Sequence, residues 1–347
     1  MNHRLGVFLM TVLVGSFAGL QAADEAEETR LKHKVPGRWE YVLPVERDSS
    51  VFDKITQGIP IPHLDGGGFM VKAAPFTLEV DTDGNGKPDE KVKGVGGTVV
   101  LKGRDRMGEK FEYAVRVVGG GGSWSYASAG VMAGKVGGES VQLFDLDNDG
   151  TWGEIGVDGI IVGKGDVVSR LGNVLNCKGR LLTVQFSPDG RSALAEPYTG
   201  EVGTLNLAKG FTTRGKLLSA QVVSQDGAHC FDLGSAKSGM DVPAGVYSLQ
   251  FGYAEKGNEH VKIRQGKMAS FEVRATDDKE IEWGGPISCE FDWAPEGKGK
   301  VRVEIPSYFG TAGAEYYQFQ PDAKSPKILV LDGESGKEVG NGRFGGC

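Results

Sequence analysis

The sequence predicts an all-β chain, built as several small sandwich-like or barrel-like units with few short helices. Three observations carry that expectation. Apolar residues recur in runs of five or six with strand-like alternation, rich in β-branched and aromatic types and bounded by Gly, Pro, Asn or Asp. No apolar stripe at helical spacing persists for three turns beyond the N-terminal segment. Glycine is abundant, 55 of 347 residues, and with 14 prolines it supplies many turns while the pair stays below the roughly 25–30% that marks low complexity. Hydrophobic residues at 39% and charged residues at 24% describe a folded chain, long enough for more than one core. The balance of 39 basic against 46 acidic residues, net −7, is wrong for a nucleic-acid partner.

The first element is an export signal. Arg4 precedes an apolar stretch from Leu5 to Leu20, followed by the small residues Ala22 and Ala23 and then Asp24. About 16 mildly apolar residues fall short of the 20 or so that span a bilayer, so the expectation is a signal peptide over 1–23 and no membrane span in the mature chain. The predicted destination is periplasmic or extracellular. Residues 24–34 (DEAEETRLKHK) read as a charged, solvated lead-in of helical character, with Leu31 as its one large apolar residue.

Residues 35–200 follow as a β domain, with strands expected at 76–80 (FTLEV), 98–101 (TVVL), 113–117 (YAVRV) and 181–186 (LLTVQF). Two acidic segments interrupt it. Asp81-Thr82-Asp83-Gly84-Asn85-Gly86 and Asp145-Leu146-Asp147-Asn148-Asp149-Gly150 both conform to Dx[DN]x[DN]G. Calcium explains the spacing: a hard cation takes six to eight oxygens, side chains at loop positions 1, 3 and 5 converge when the backbone wraps it, and glycine at position 6 permits the sharp turn. The candidate ligands are Asp81, Asp83, Asn85, the backbone carbonyl of Lys87 and Asp89 in the first loop, with Glu90 as an alternative to Asp89. In the second they are Asp145, Asp147, Asp149, the carbonyl of Thr151 and Glu154, with Asp158 as an alternative to Glu154. Position 12, a bidentate Glu in an EF-hand, is Val92 in one loop and Gly156 in the other, and strands rather than helices lead in. Gly153 leaves position 9 of the second loop to water, which makes the second the weaker site. These segments resemble the helix-free calcium loops of exported repeat proteins, similar to thrombospondin type 3 and FG-GAP/VCBS-like segments, and that resemblance implies calcium as the cofactor. The competing reading is a pair of turns in which Asp and Asn hydrogen-bond local N–H groups; crowded carboxylates, which disfavour one another's ionisation without a cation, weigh against it.

Residues 201–285 read as a sandwich of short strands separated by regular turn signals. Within it Asp241-Val242-Pro243-Ala244-Gly245-Val246-Tyr247-Ser248-Leu249 resembles the PxGxYxL strand entry of carboxypeptidase regulatory-like, transthyretin-like modules, which implies a transthyretin-like or Ig-like fold there. Residues 286–347 form a further small β unit, with strands at 300–305 and 327–331.

Other constellations are weaker. Residues 210–217 (GFTTRGKL) nearly spell a phosphate-binding loop, but Leu217 stands where Ser or Thr would hold magnesium and a strand follows. No GxSxG or HExxH occurs, and His33, His63, His229 and His260 are scattered. Trp124 and Tyr126 share one strand face and invite a sugar-stacking reading, but core packing is the favoured one. Cys177, Cys230, Cys289 and Cys347 allow three pairings if all are oxidised; a Cys289–Cys347 bridge around the terminal segment is the preferred guess. The sequence therefore reads as an exported, non-catalytic calcium-binding structural or ligand-binding β protein, with envelope polysaccharide or protein as its partner. The alternative is a calcium-dependent secreted hydrolase acting on polysaccharide or peptide, its site within residues 35–175.

Overall fold

A computed structural model describes residues 26–45, 47–62, 68–104, 108–297, 299–321 and 327–343. The signal segment, His63 and Cys347 lie outside the described residues, and so the Cys289–Cys347 pairing does too. The fold is all-β, 56% strand in several small and mainly antiparallel sheets. Among the described residues there is no α-helix, only a 3-10 turn at Asp48–Val51, and no helix is long and apolar enough to cross a membrane.

Alternation places the first core. In Thr77–Val80, Leu78 and Val80 are buried while Thr77 and Glu79 are less so, as a period of two requires. The strand belongs to a sheet ordered Gly58–Ile59, Phe69–Ala74, Thr77–Val80, Glu90–Lys93. Beside it runs Asp53–Lys54, Ser123–Ser128, Lys110–Gly120, Gly96–Arg104, whose Trp124, Val115 and Leu101 join Leu78 in one cluster. A five-stranded sheet, ordered Ser169–Arg170, Gly159–Val162, Glu139–Phe144, Val131–Val136, Lys32–Lys34, contributes Leu143 and Ile160 to the same core.

The charged run after the signal departs from its expected helical character. Glu27–Arg30 pairs antiparallel with Ser192–Pro197, and Lys32–Lys34 with Val131–Val136. Each lies at the edge of its sheet, where charged side chains remain in water, and Leu31 between them is buried. One apolar anchor and a free sheet edge outweigh weak helical propensity in so short a segment.

The second core gathers Leu205, Val222, Leu249, Ile263 and Trp283. Its central strand, Gly245–Lys256, carries Gly245, Tyr247 and Leu249 of the PxGxYxL motif, whose Pro243 ends the strand Met240–Pro243, and pairs with Lys216–Ser224 on one side and Glu259–Arg264 on the other. Tyr247 and Leu249 point inward, and the Tyr247 hydroxyl donates to the Pro243 carbonyl at 2.8 Å, pinning the turn into the strand. Glu315–Gln320 pairs with Glu259–Arg264 and continues the sheet, whereas Trp293–Gly297/Lys300–Val303 and Lys327–Leu331/Glu338–Arg343 are two-stranded hairpins.

Candidate metal centre

The second acidic loop leaves the Glu139–Phe144 strand and returns through Gly159–Val162. Leu146 and Trp152 are buried and anchor it, so the polar residues between them are held rather than free. The turn needs two left-handed residues, Asn148 at φ 62° and Gly150 at φ 82°. Asn is among the few side chains that tolerate that region, and glycine adopts it without strain.

Asp145, at position 1, is buried. Its Oδ1 accepts the Asn148 N–H at 2.6 Å, and its Oδ2 accepts the Gly150 N–H at 2.9 Å and the Tyr113 hydroxyl at 2.7 Å. Asp149 Oδ1 accepts the Thr151 N–H at 2.6 Å. One ligand oxygen from each of Asp145, Asp147 and Asp149 lies within 4.8 Å of the others, and among the described residues this is the only such group of three acidic, histidine or cysteine side chains. Asp147 and Asp149 are exposed and line an open cleft of about 850 Å³ with Tyr126 and Asp53, which provides a path for an ion.

Two further carboxylates flank the group, and they differ in role. Asp158 is buried and caps backbone: its Oδ1 accepts the Leu146 N–H at 3.3 Å and its Oδ2 the Glu154 N–H at 3.0 Å. Glu154 Oε2, in contrast, is buried without any hydrogen-bond partner and feels the charges of Asp149 and Asp147. An orphaned carboxylate oxygen beside two other carboxylates is costly unless a cation meets it. Of the two residues expected to complete this loop, Glu154 is therefore the one with an oxygen to give.

The same crowding shifts the acid–base balance of these groups. Burial, followed by the charge of Asp158, holds the Asp145 carboxyl well above its ordinary range, although the Tyr113 bond pulls the other way. Burial pushes Asp158 up to about 7 and also raises Glu154, with Asp149 and Asp147 adding to the latter. Tyr113 is raised by burial and then by Asp145, and Tyr126 is pushed up to about 12 by burial and then by Asp53. A bound divalent cation would favour the ionised form of the carboxyls that ligate it.

The first loop repeats the backbone. Asp81 Oδ2 accepts the Gly86 N–H at 2.7 Å and Asn85 Oδ1 the Lys87 N–H at 2.9 Å, matching the bonds of Asp145 to Gly150 and Asp149 to Thr151. Gly84 and Gly86 take φ of 71° and 83°, where the second loop has Asn148 and Gly150. The carboxylates are arranged differently. Asp83 Oδ1 accepts the Asn85 N–H at 3.2 Å, and Asp89 turns aside, its two oxygens accepting the Thr82 N–H at 2.7 Å and the Thr82 hydroxyl at 2.8 Å. A group of three carboxylates forms in the second loop, which has aspartate at positions 1, 3 and 5, whereas the first loop has Asn85 at position 5.

Several participants carried no sequence signal. Asn148 does more than turn the chain: its Oδ1 accepts the Ser128 N–H at 2.7 Å, and its Nδ2 donates to the Val51 carbonyl at 2.7 Å and to Asp53 at 2.8 Å. Left-handed tolerance at position 4, shared by Gly84 and Asn148, is the one hint available beforehand. Tyr113 is 32 residues from Asp145 and belongs to another strand.

The remaining candidates resolve into packing. Trp124 and Tyr126 are buried, and the Trp124 indole donates to the Ala74 carbonyl at 3.0 Å. At Gly210, in the near-match to a phosphate loop, a Cβ would stand 2.0 Å from the Ile281 carbonyl oxygen, so close backbone approach accounts for that glycine. Among the described residues Cys177, Cys230 and Cys289 form no disulfide with one another, and the first two are buried. Compared with known protein families, curated proteins and solved structures, the chain shows no match.

Proposed function

We propose that this chain is an exported calcium-binding β protein of structural or ligand-binding character, without catalysis of its own. The observation that carries the reading is the convergence of Asp145, Asp147 and Asp149 beside the orphaned Glu154 Oε2. All the donors are hard oxygens, which suits calcium or magnesium and not a soft metal; a flexible set of carboxylates and carbonyls fits calcium's larger, more variable shell. The Thr151 carbonyl is the candidate for position 7. Ion binding would tighten a loop already bonded to Tyr113, Ser128, Val51 and Asp53, and so would join the loop more firmly to the segments those residues occupy. A cation that binds only the folded chain stabilises it by about 2.7 kcal/mol at a hundred times its dissociation constant.

The N-terminal run from Arg4 to Ala23 supports export, and the proposed partner is envelope polysaccharide or protein. The deciding experiment is thermal melting in EGTA and in millimolar calcium. The expected outcome is a clear rise in Tm with calcium; an unchanged midpoint overturns the metal reading.

A further inference from the structure

A groove of about 640 Å³ lies where the first core meets the second. Gly159–Val162 and Val174–Cys177 line it from one side; Lys216–Ser224, Cys230–Asp232 and the start of Met240–Pro243 line it from the other. It is distinct from the acidic loops and shares no lining residue with the cleft beside them.

Its chemistry is two-sided. Ile160, Leu175 and Phe231 are buried in its walls, while Phe211, Leu217 and Met240 are only half-buried and leave apolar surface along it. The rim is basic. Lys164, Lys216 and Lys237 line it and are exposed. Lys216 lies 3.6 Å from Glu255; among the described residues Lys164 and Lys237 have no ion pair. Two carboxylates share the lining. Asp232 has both oxygens engaged, accepting the Ser219 hydroxyl at 2.7 Å and the Ala220 and Gly234 N–H groups at 2.9 Å each, and Asp166 is the other. In a chain of net charge −7, this groove offers an incoming group more free positive charge than negative. Its volume is within the range of small-molecule sites, roughly 300–1,000 Å³, and such sites favour the junction between packed units.

We propose that this groove binds a small anionic amphiphile, its apolar body against Phe211, Leu217 and Met240 and its acidic head at the lysine rim. A neutral apolar ligand would leave the rim lysines without a role, and a polyanion would find no apolar contacts to match.

The test uses the full chain and two fluorescent probes of similar shape: 8-anilinonaphthalene-1-sulfonate, which is anionic, and N-phenyl-1-naphthylamine, which is neutral. The expected result is saturable one-to-one binding of the sulfonate to the folded protein, reversed by dodecanoate. Ala208→Trp, which places an indole in the groove wall, should weaken both probes at least tenfold. Lys164→Glu with Lys237→Glu, two exposed changes, should weaken the sulfonate at least fivefold and leave the neutral probe unchanged. Near-UV circular dichroism verifies that each variant is folded. Absence of saturable binding, survival of binding in a folded Ala208→Trp variant, or equal loss of both probes in the lysine variant overturns the proposal.

Discussion

The Tyr113 hydroxyl donates to Asp145 Oδ2 at 2.7 Å, and both residues are buried. The bond ties the first aspartate of the acidic loop to the Lys110–Gly120 strand, so the loop's position is set by a sheet it does not belong to. Tyr113→Phe keeps the ring and removes the donor. We expect a loss of about 1–3 kcal/mol in chemical denaturation in EGTA, the usual cost of leaving a buried acceptor short of a partner. A change below about 0.5 kcal/mol would mean the bond does little to hold the loop.

Asp147→Asn with Asp149→Asn should remove most of the calcium-induced rise in Tm. Both side chains are exposed, so the EGTA midpoint should move little. The matching change in the first loop, Asp81→Asn with Asp83→Asn, should remove less of the calcium response, because Asp89 there is bonded to Thr82. Glu154→Gln should weaken calcium several-fold by calorimetry. Equal responses from both loops would overturn the ranking drawn from the geometry.

Asp158 sets a pH dependence with a definite sign. Its carboxyl is pushed up to about 7 in the folded chain, chiefly by burial, against an ordinary value near 4 in the unfolded chain. Between those values the folded state holds a proton that the unfolded state has released, so this stabilisation is present at low pH and is lost as pH rises through about 7. In EGTA, this group should lower unfolding free energy by up to about 1.4 kcal/mol per pH unit within that window. Asp145 is shifted in the same direction. Calcium should flatten the profile, and its binding should release protons, measurable by calorimetry in buffers of different ionisation enthalpy. Unfolding free energy that climbs from pH 4 to 7 in EGTA would contradict the assignment.

Trp124 is a packing residue, and Trp124→Ala should cost about 3–5 kcal/mol. Gly119→Ala should destabilise as well, since the added Cβ would meet the Trp124 ring at 2.6 Å and the Ser123 carbonyl oxygen at 2.5 Å. Urea titration measures both. A folded Trp124→Ala protein of unchanged stability would return the residue to the surface-platform reading.

The thiols of Cys177 and Cys230 are buried, and burial pushes each up to about 11. Peptide mapping after iodoacetamide treatment should find both unmodified in the native protein and modified after unfolding. Rapid native labelling of either would show that its surroundings open readily.

Much of the strand pattern was legible because its cause is local. Leu78 and Val80 alternate with Thr77 and Glu79, and a half-buried strand requires that period. The two acidic loops were legible for the same reason: their shared turn is written in consecutive residues, down to the glycine at position 6. The run at 24–34 was misread as helical because its strands are specified by distant edges, at Ser192–Pro197 and Val131–Val136. The near-match at residues 210–217 shows the converse, a local motif whose glycine serves contact with Ile281, far along the chain.

Alone, the sequence determined an all-β class and two turns of one design, since periodicity and left-handed positions act over a few residues. The third carboxylate, Asp149 where the first loop has Asn85, was already in the sequence; what holds each turn in place was decided by tertiary structure. Asp89 bonds to Thr82 within the first loop, whereas Asp145 is drawn inward by Tyr113 and Asn148 is clamped by Val51, Asp53 and Ser128, all brought close only by folding. The fold also leaves Glu154 Oε2, on a half-buried side chain, without a hydrogen-bond partner, a feature invisible in a list of residues that a cation at the Asp145, Asp147 and Asp149 group would offset.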